Sequence, residues 1–94
     1  MQEEKEGRIA LIGIIVEDLE ASRKINEILH QYSDFIVARM GIPYRKNKIS
    51  ILSIVIDAKN SVISALSGKL GNIPQVRVRT MYAPLSNSQI NEEP

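Results

Sequence analysis

Few side chains in this sequence of 94 residues are of the types that catalyse reactions or bind metal ions. The chain contains no cysteine, which excludes disulfides, thiolate metal sites and a thiol nucleophile. His30 is the single histidine and falls on the polar face of a predicted helix, where a solvated side chain is a commoner interpretation than a metal ligand. We therefore expect no bound metal and no cofactor.

The sequence offers three acidic residues as candidates for a general acid–base pair, which requires that the fold bring two of them together. Glu17 and Asp18 follow the first predicted strand, whereas Asp57 ends the third. If these strands are antiparallel neighbours, the acids lie about 25–30 Å apart at ~3.3 Å per residue. The three acids are therefore interpreted as helix-entry and turn residues. Because the sequence also lacks a nucleophile–base constellation, we expect a protein that is not an enzyme.

Basic side chains offer a third kind of chemistry, the binding of an anion or a nucleic acid. The net charge of +1 supplies no general attraction to a polyanion, and aromatic residues make up only 4% of the chain, too few for extensive base stacking. Residues 67–71, Ser-Gly-Lys-Leu-Gly, end a predicted helix, so they do not form a phosphate-binding loop. A solvated basic rim is favoured, and no sequence-specific DNA binding is expected from this chain alone. The basic residues concerned are Arg39, Arg45, Lys46, Lys48, Arg77 and Arg79.

Length and composition indicate a single globular domain. Hydrophobic residues make up 44% and charged residues 24% of the chain, which is typical of folded domains. The acidic start is unlike a signal peptide, and the apolar run at residues 9–16 is shorter than the ~20 residues that span a bilayer. We expect a cytoplasmic protein without membrane association. Residues 1–7 are predicted to be a flexible tail, residues 8–82 the domain, and residues 83–94 a disordered tail.

Two segments that are apolar on both faces organise the predicted domain. Residues 8–17 and 49–57 carry apolar side chains at both odd and even positions, the pattern of central strands covered on both sides. Helical periodicity begins at Asp18 and returns over residues 60–70, and an alternating edge strand covers residues 75–82.

A further strand is predicted at residues 34–41, followed by a basic, proline-containing turn at residues 42–48. Simple alternation assigns its side chains to two faces. One face is expected to carry Phe35, Val37 and Arg39, and the other Ile36, Ala38 and Met40.

The resulting order, β-α-β-β-α-β, is that of a ferredoxin-like α+β fold with a four-stranded antiparallel sheet and two helices on one face. Right-handed crossovers place residues 8–17 and 49–57 in the centre, which brings Arg8 near Asp57 and Glu17 near Lys48.

The second face of this sheet has no cover within one chain. An apolar patch of this kind marks an interaction surface, and Gly13 and Ser53 would let another sheet approach closely. We predict a homo-oligomer, a dimer or a tetramer. Its interface residues are Ile9, Leu11, Gly13, Ile15, Ile49, Ile51, Ser53 and Val55.

Residues 13–18, 21–29, 39–44 and 63–71, with Ile73-Pro74, resemble one family of small ACT-like proteins from anaerobic bacteria, the candidate regulators of the iron-only hydrogenase system. The family is similar in fold to the C-terminal regulatory domain of the nickel-responsive repressor. The resemblance implies a stand-alone, non-enzymatic regulatory module that binds a small effector at a subunit interface. We assign the effector site to Glu17, Asp18, Arg39 and Tyr44.

Two departures limit what the resemblance carries over. The nickel repressor binds metal through several histidines and a cysteine, which this chain lacks, so nickel sensing is not implied. Many amino-acid-binding ACT domains have a Pro-Gly turn after the first strand, whereas this chain has Glu17-Asp18-Leu19-Glu20. The alternative function is a structural or scaffolding domain that binds another protein and has no ligand of its own.

Overall fold

Two helices cover one face of a four-stranded antiparallel sheet. A computed structural model describes residues 7–44 and 48–84. The elements are β1 (Arg8–Val16), α1 (Leu19–Gln31), a short 3-10 turn (Ser33–Phe35), β2 (Ile36–Tyr44), β3 (Ile49–Ala58), α2 (Asn60–Gly71) and β4 (Val76–Tyr82). The strand order in the sheet is β2-β3-β1-β4, so the predicted fold and the central position of β1 and β3 are confirmed.

The core lies between the helices and the side chains that β1 and β3 direct toward them. Successive residues of a strand point to opposite faces, and antiparallel pairing brings Ile12 opposite Ile54 and Ile14 opposite Leu52. These side chains are buried, and they belong to the layer that Gly13 and Ser53 do not interrupt. The helix-facing layer consists of Ala10, Ile12, Ile14 and Val16 on β1 and Leu52, Ile54, Ile56 and Ala58 on β3.

Each helix contributes the apolar stripe that its sequence predicts. Asp18 caps α1 by accepting a hydrogen bond from the backbone N–H of Glu20 at 3.1 Å, which satisfies a donor that has no partner within the helix. The buried residues of α1 are spaced by four, and those of α2 by three and four. They are Ala21, Ile25 and Leu29 on α1, and Ile63, Leu66 and Leu70 on α2.

The register of the central strands confirms which ends meet. Ile9 pairs with Asp57 at one end of the sheet, and Val16 pairs with Ser50 at the other. The sheet also extends one residue past β4, because the backbone N–H of Ala83 donates to the carbonyl of Ile9 at 2.9 Å. Ala83 was predicted to belong to the C-terminal tail. Residues 1–6 and 85–94 of the predicted tails, and residues 45–47 of the predicted basic turn, lie outside the described residues.

The prediction for β2 is wrong in its bounds and in its faces. The strand begins at Ile36 because Ser33–Phe35 forms a 3-10 turn, and it continues through Pro43 to Tyr44. Its register shifts between Ile36 and Ala38, where Val37 is an extra residue of a β-bulge. The bulge reverses the expected alternation beyond Val37, so that Arg39 falls on the helix side of the sheet, opposite Ile54.

Candidate functional site

The face of the sheet turned away from the helices is largely apolar and exposed, and we call it the open face. Ile9, Leu11, Ile15 and Ile51 on its two central strands retain between 36% and 49% of their accessible surface. The structure places all eight predicted interface residues here; their role as an interface stays a prediction. The open face carries Ile9, Leu11, Gly13, Ile15, Ile49, Ile51, Ser53 and Val55 on β1 and β3, Ala38, Met40, Ile42 and Tyr44 on β2, and Arg77, Arg79 and Met81 on β4.

A recess crosses the middle of the open face. Gly13 and Ser53 are directly opposite each other in the ladder, between the larger pairs Leu11–Val55 and Ile15–Ile51. Among residues 7–44 and 48–84, a Cβ atom placed on Gly13 would meet nothing within 4 Å beyond its two chain neighbours. No contact in this part of the chain therefore requires a glycine at this position.

Sequence reasoning missed the contribution of the edge strands to the open face. Met40 is 59% and Met81 is 66% exposed there. The sequence does contain a signal, because Ala38, Met40, Ile42 and Tyr44 recur with the period of two that a strand requires. The assumption that residues 42–48 form a turn concealed it.

A cleft of about 640 Å³ lies at the end of the sheet where β1 leads into α1, and we call it the end cleft. Glu17, Asp18 and Leu19 line one side of it, and Tyr44 and Lys48 belong to the β2–β3 connection. Ile49 and Ser50, at the start of β3, complete the lining. Three of the four predicted effector residues therefore meet.

The end cleft combines both signs of charge with apolar surface. A carboxylate oxygen of Glu17 lies 3.4 Å from Nε of Arg77, in an ion pair whose side chains are substantially exposed. Leu19 is 78% exposed, although large apolar side chains are usually buried. The sequence analysis predicted Lys48 near Glu17 but did not include Lys48 or Leu19 among the site residues.

The end cleft and the open face share two side chains. Tyr44 and Ile49 are paired in the β2–β3 ladder, lie on the open face and also line the cleft. Anything that packs against this end of the open face would therefore lie beside the mouth of the cleft.

Arg39, the fourth predicted effector residue, lies elsewhere. Its Nη2 donates to Oδ1 of Asn26 on α1 at 3.0 Å, on the helix side of the sheet. Two depressions between α1 and β2 lie on either side of this hydrogen bond. Of the residues that line them, Ser50 alone also lines the end cleft. The structure therefore does not assemble the four residues into one site.

The remaining chemical candidates stay apart. His30 is exposed on α1, and Asp57 lies at the opposite end of the central strands from Glu17 and Asp18. Within residues 7–44 and 48–84, no three His, Asp or Glu side chains come together as metal ligands. In the same ranges, neither helix has the length and apolarity needed to cross a membrane.

Comparison with known proteins identifies the family. The profile of the TM1266-like family, described as "Iron-only hydrogenase system regulator, putative", matches residues 8–80. The chain belongs to this family. The structure of the uncharacterized protein TM1266 from Thermotoga maritima is similar at 40% sequence identity and a TM-score of 0.81, over 84% of this chain and 100% of that chain. No curated protein matches the chain.

More distant structures confirm that the fold is ACT-like. The ACT domain of the GTP pyrophosphokinase of Chlorobium tepidum is similar with a TM-score of 0.64 at 23% identity, over 80% of this chain and 99% of that one. The C-terminal domain of the MgtC protein of Mycobacterium tuberculosis has a TM-score of 0.63 at 11% identity, over 88% of this chain and 96% of that chain. The range matched by the family contains the whole end cleft and all of the open face except Met81.

Proposed function

We propose that the protein is a non-enzymatic, homo-oligomeric regulatory module of the iron-only hydrogenase system. In this proposal two copies pack through their open faces, and a small effector binds in the end cleft at the subunit boundary. The family supports the regulatory role, and the open face is the observation that carries the assembly. The chain is proposed to act in the cytoplasm, without direct contact to specific DNA sequences.

The size of the open face supports a second copy as its cover. Four strands about 4.8 Å apart and a strand of nine residues at about 3.3 Å each outline a face of roughly 20 by 30 Å, on the order of 600 Å². The accessible area is larger because the side chains project from this plane. A specific interface buries about 800 Å² per partner, so the open face is of the right order for a dimer.

The end cleft supports an effector that carries charge and an apolar part. Its lining offers the carboxylates of Glu17 and Asp18, the ammonium group of Lys48 and the apolar surface of Leu19 and Ile49. A volume of about 640 Å³ falls within the range of small-molecule sites.

Sedimentation velocity and a thermal-shift screen together test the proposal. The wild-type protein is expected to sediment as a dimer or tetramer at micromolar concentration. In the screen of amino acids, nucleotides and metal salts, an effector at a hundredfold excess over its Kd should stabilise the fold by about 2.7 kcal/mol. A well-folded monomer at these concentrations contradicts the assembly, and with it the placement of the effector site at a subunit boundary.

The variant Asp18→Asn tests whether an effector binds beside Asp18, which lines the end cleft and also a smaller depression next to Ile73 and Pro74. Asparagine also caps helices, so this change removes a charge from the cleft and keeps the α1 cap. Asp34→Asn, in the 3-10 turn outside the cleft, is the matched control. An effector whose stabilisation survives Asp18→Asn unchanged binds elsewhere.

A structural or scaffolding domain is the second candidate function. The open face would also suit another protein, because its apolar surface is exposed. A stable oligomer that no compound in the screen stabilises would favour this alternative over an effector-binding module.

A further inference from the structure

The bulge in β2 places a charged side chain where the other strands carry core residues. Without Val37 as an extra residue, alternation from Ile36 would turn Arg39 toward the open face. With it, Arg39 lies opposite the buried Ile54, beside α1. Bulges commonly re-aim a side chain next to a functional site.

Arg39 lies over a groove between α1 and β2, which we call the α1–β2 groove. The hydrogen bond from Arg39 to Asn26 holds the guanidinium at the boundary between two depressions of about 240 and 300 Å³. Gly41, two residues along β2, lies on the same side of the strand as Arg39 and lines the smaller depression. A Cβ on Gly41 would lie 3.9 Å from the nearest atom of Leu52, so the glycine leaves space that a side chain could occupy.

The groove is rich in hydrogen-bond donors. In the smaller depression, the hydroxyl groups of Ser22 and Ser50 accompany Arg39, and Ile25 and Leu52 supply apolar surface. The larger one adds His30 and Ser33. Among the residues that the structure describes, those lining the two depressions include no Asp or Glu, in contrast to the end cleft. This environment favours an anion.

We propose that the α1–β2 groove binds the carboxylate of a short-chain organic acid, with Arg39 as the anion-binding residue. The planar guanidinium matches a carboxylate in geometry and in charge, since one positive group balances one negative group. The short carbon chain lies against Ile25 and Leu52. At about 240 Å³ the smaller depression is below the usual size of drug-like sites, which limits the ligand to a few carbon atoms.

This site shares Ser50 with the end cleft but none of the charged residues of that cleft. Arg39 lies on the helix side of the sheet, whereas the second copy is proposed to cover the open face. Because Ile42 and Ile51 of the open face also line the smaller depression, the oligomeric state is measured alongside the titration.

Titration of the labelled protein with propionate, followed by the backbone amide signals in NMR spectra, tests the proposal. We expect saturable shifts at Ser22, Asn26 and Gly41 in the low millimolar range, and none with propionamide, which has the same shape without the charge. Arg39→Gln should weaken binding at least about tenfold, because hydrogen bonds to charged groups contribute more than neutral ones. The propionate affinity of Arg39→Lys should fall between those of the wild type and Arg39→Gln, because lysine keeps the charge and loses the planar pair of donors.

Arg23→Gln on the exposed part of α1 is the matched control, since it removes the same charge outside both depressions. It should leave the propionate affinity unchanged. The proposal is overturned if propionate causes no saturable shifts in the groove up to about 50 mM, a range that covers weak affinities. It is also overturned if Arg39→Gln binds as well as the wild type, or if inorganic phosphate binds and propionate does not.

Discussion

Changing Leu11 to aspartate separates the fold of one chain from its assembly. Leu11 lies at the centre of the open face and is 42% exposed in the single chain. Burying a whole leucine is worth about 1.5–3 kcal/mol, so the exposed part corresponds to about 1 kcal/mol per subunit and about 2 kcal/mol per dimer. An aspartate would also leave an unpaired carboxylate in each buried surface, at a cost of several kcal/mol. The dimer Kd should therefore rise by at least about three decades, at 1.4 kcal/mol per decade.

Sedimentation velocity and chemical denaturation of Leu11→Asp provide the measurement. We expect a folded monomer, because position 11 is solvated in the single chain and an aspartate in a strand costs up to about 1 kcal/mol. Ala65→Asp on the exposed surface of α2 is the control, and it should keep the wild-type assembly. If Leu11→Asp remains a dimer with the wild-type affinity, the open face is not the interface.

Three further predictions follow from the same structure. Gly13→Val should weaken the dimer in sedimentation experiments because the valine fills the recess. In the Leu11→Asp background the same change should not lower the denaturation midpoint, since no described atom lies within 4 Å of the added Cβ. Elemental analysis should find no stoichiometric nickel, zinc or iron, and one metal per chain that disappears in His30→Ala would refute this. Ile54→Ala should reduce the free energy of unfolding by about 2–5 kcal/mol, as the side chain is fully buried; a loss below 1 kcal/mol would contradict the assignment of Ile54 to the core.

The central strands and the helices could be predicted because several independent signals agreed. A segment that is apolar on both faces is typical of a strand in the middle of a sheet that is covered on both sides. The segments predicted to have this pattern were those of β1 and β3. The faces were also distinguishable, because Gly13 and Ser53 interrupt one layer and the other is uniformly apolar. The β-α-β-β-α-β order then left few possible topologies.

The course of β2 could not be predicted because an edge strand has a ladder partner on one side only. A proline is compatible with such an edge, so Pro43 did not mark the end of the strand. The bulge at Val37 has no reliable sequence signature. The prediction therefore left Ile42 and Tyr44 out of the strand. It also grouped Ile36 with Ala38 and Met40, whereas Ile36 lies on the helix side of the sheet with Arg39.

The candidate site was predicted only in part, because one of its residues depends on the course of β2. Glu17 and Asp18 end β1, so their position at one edge of the sheet followed from the topology. The position of Lys48 near Glu17 followed from the antiparallel pairing of β1 and β3. That Tyr44 reaches the same edge depends on the continuation of β2 to this residue, which the sequence pattern did not define.

The shared residues of the open face and the end cleft determine which variants can separate the proposed functions. Tyr44 and Ile49 belong to both surfaces, so a ligand in the cleft and a second copy on the face would contact the same two side chains. Binding and assembly would then be coupled, and each would change the affinity of the other by the same factor. A loss of either function in a Tyr44 variant would therefore be ambiguous. Leu11 lies on the open face and does not line the cleft, and Asp18 lines the cleft and is not part of the open face. Changes at these two residues therefore distinguish a defect in assembly from a defect in effector binding.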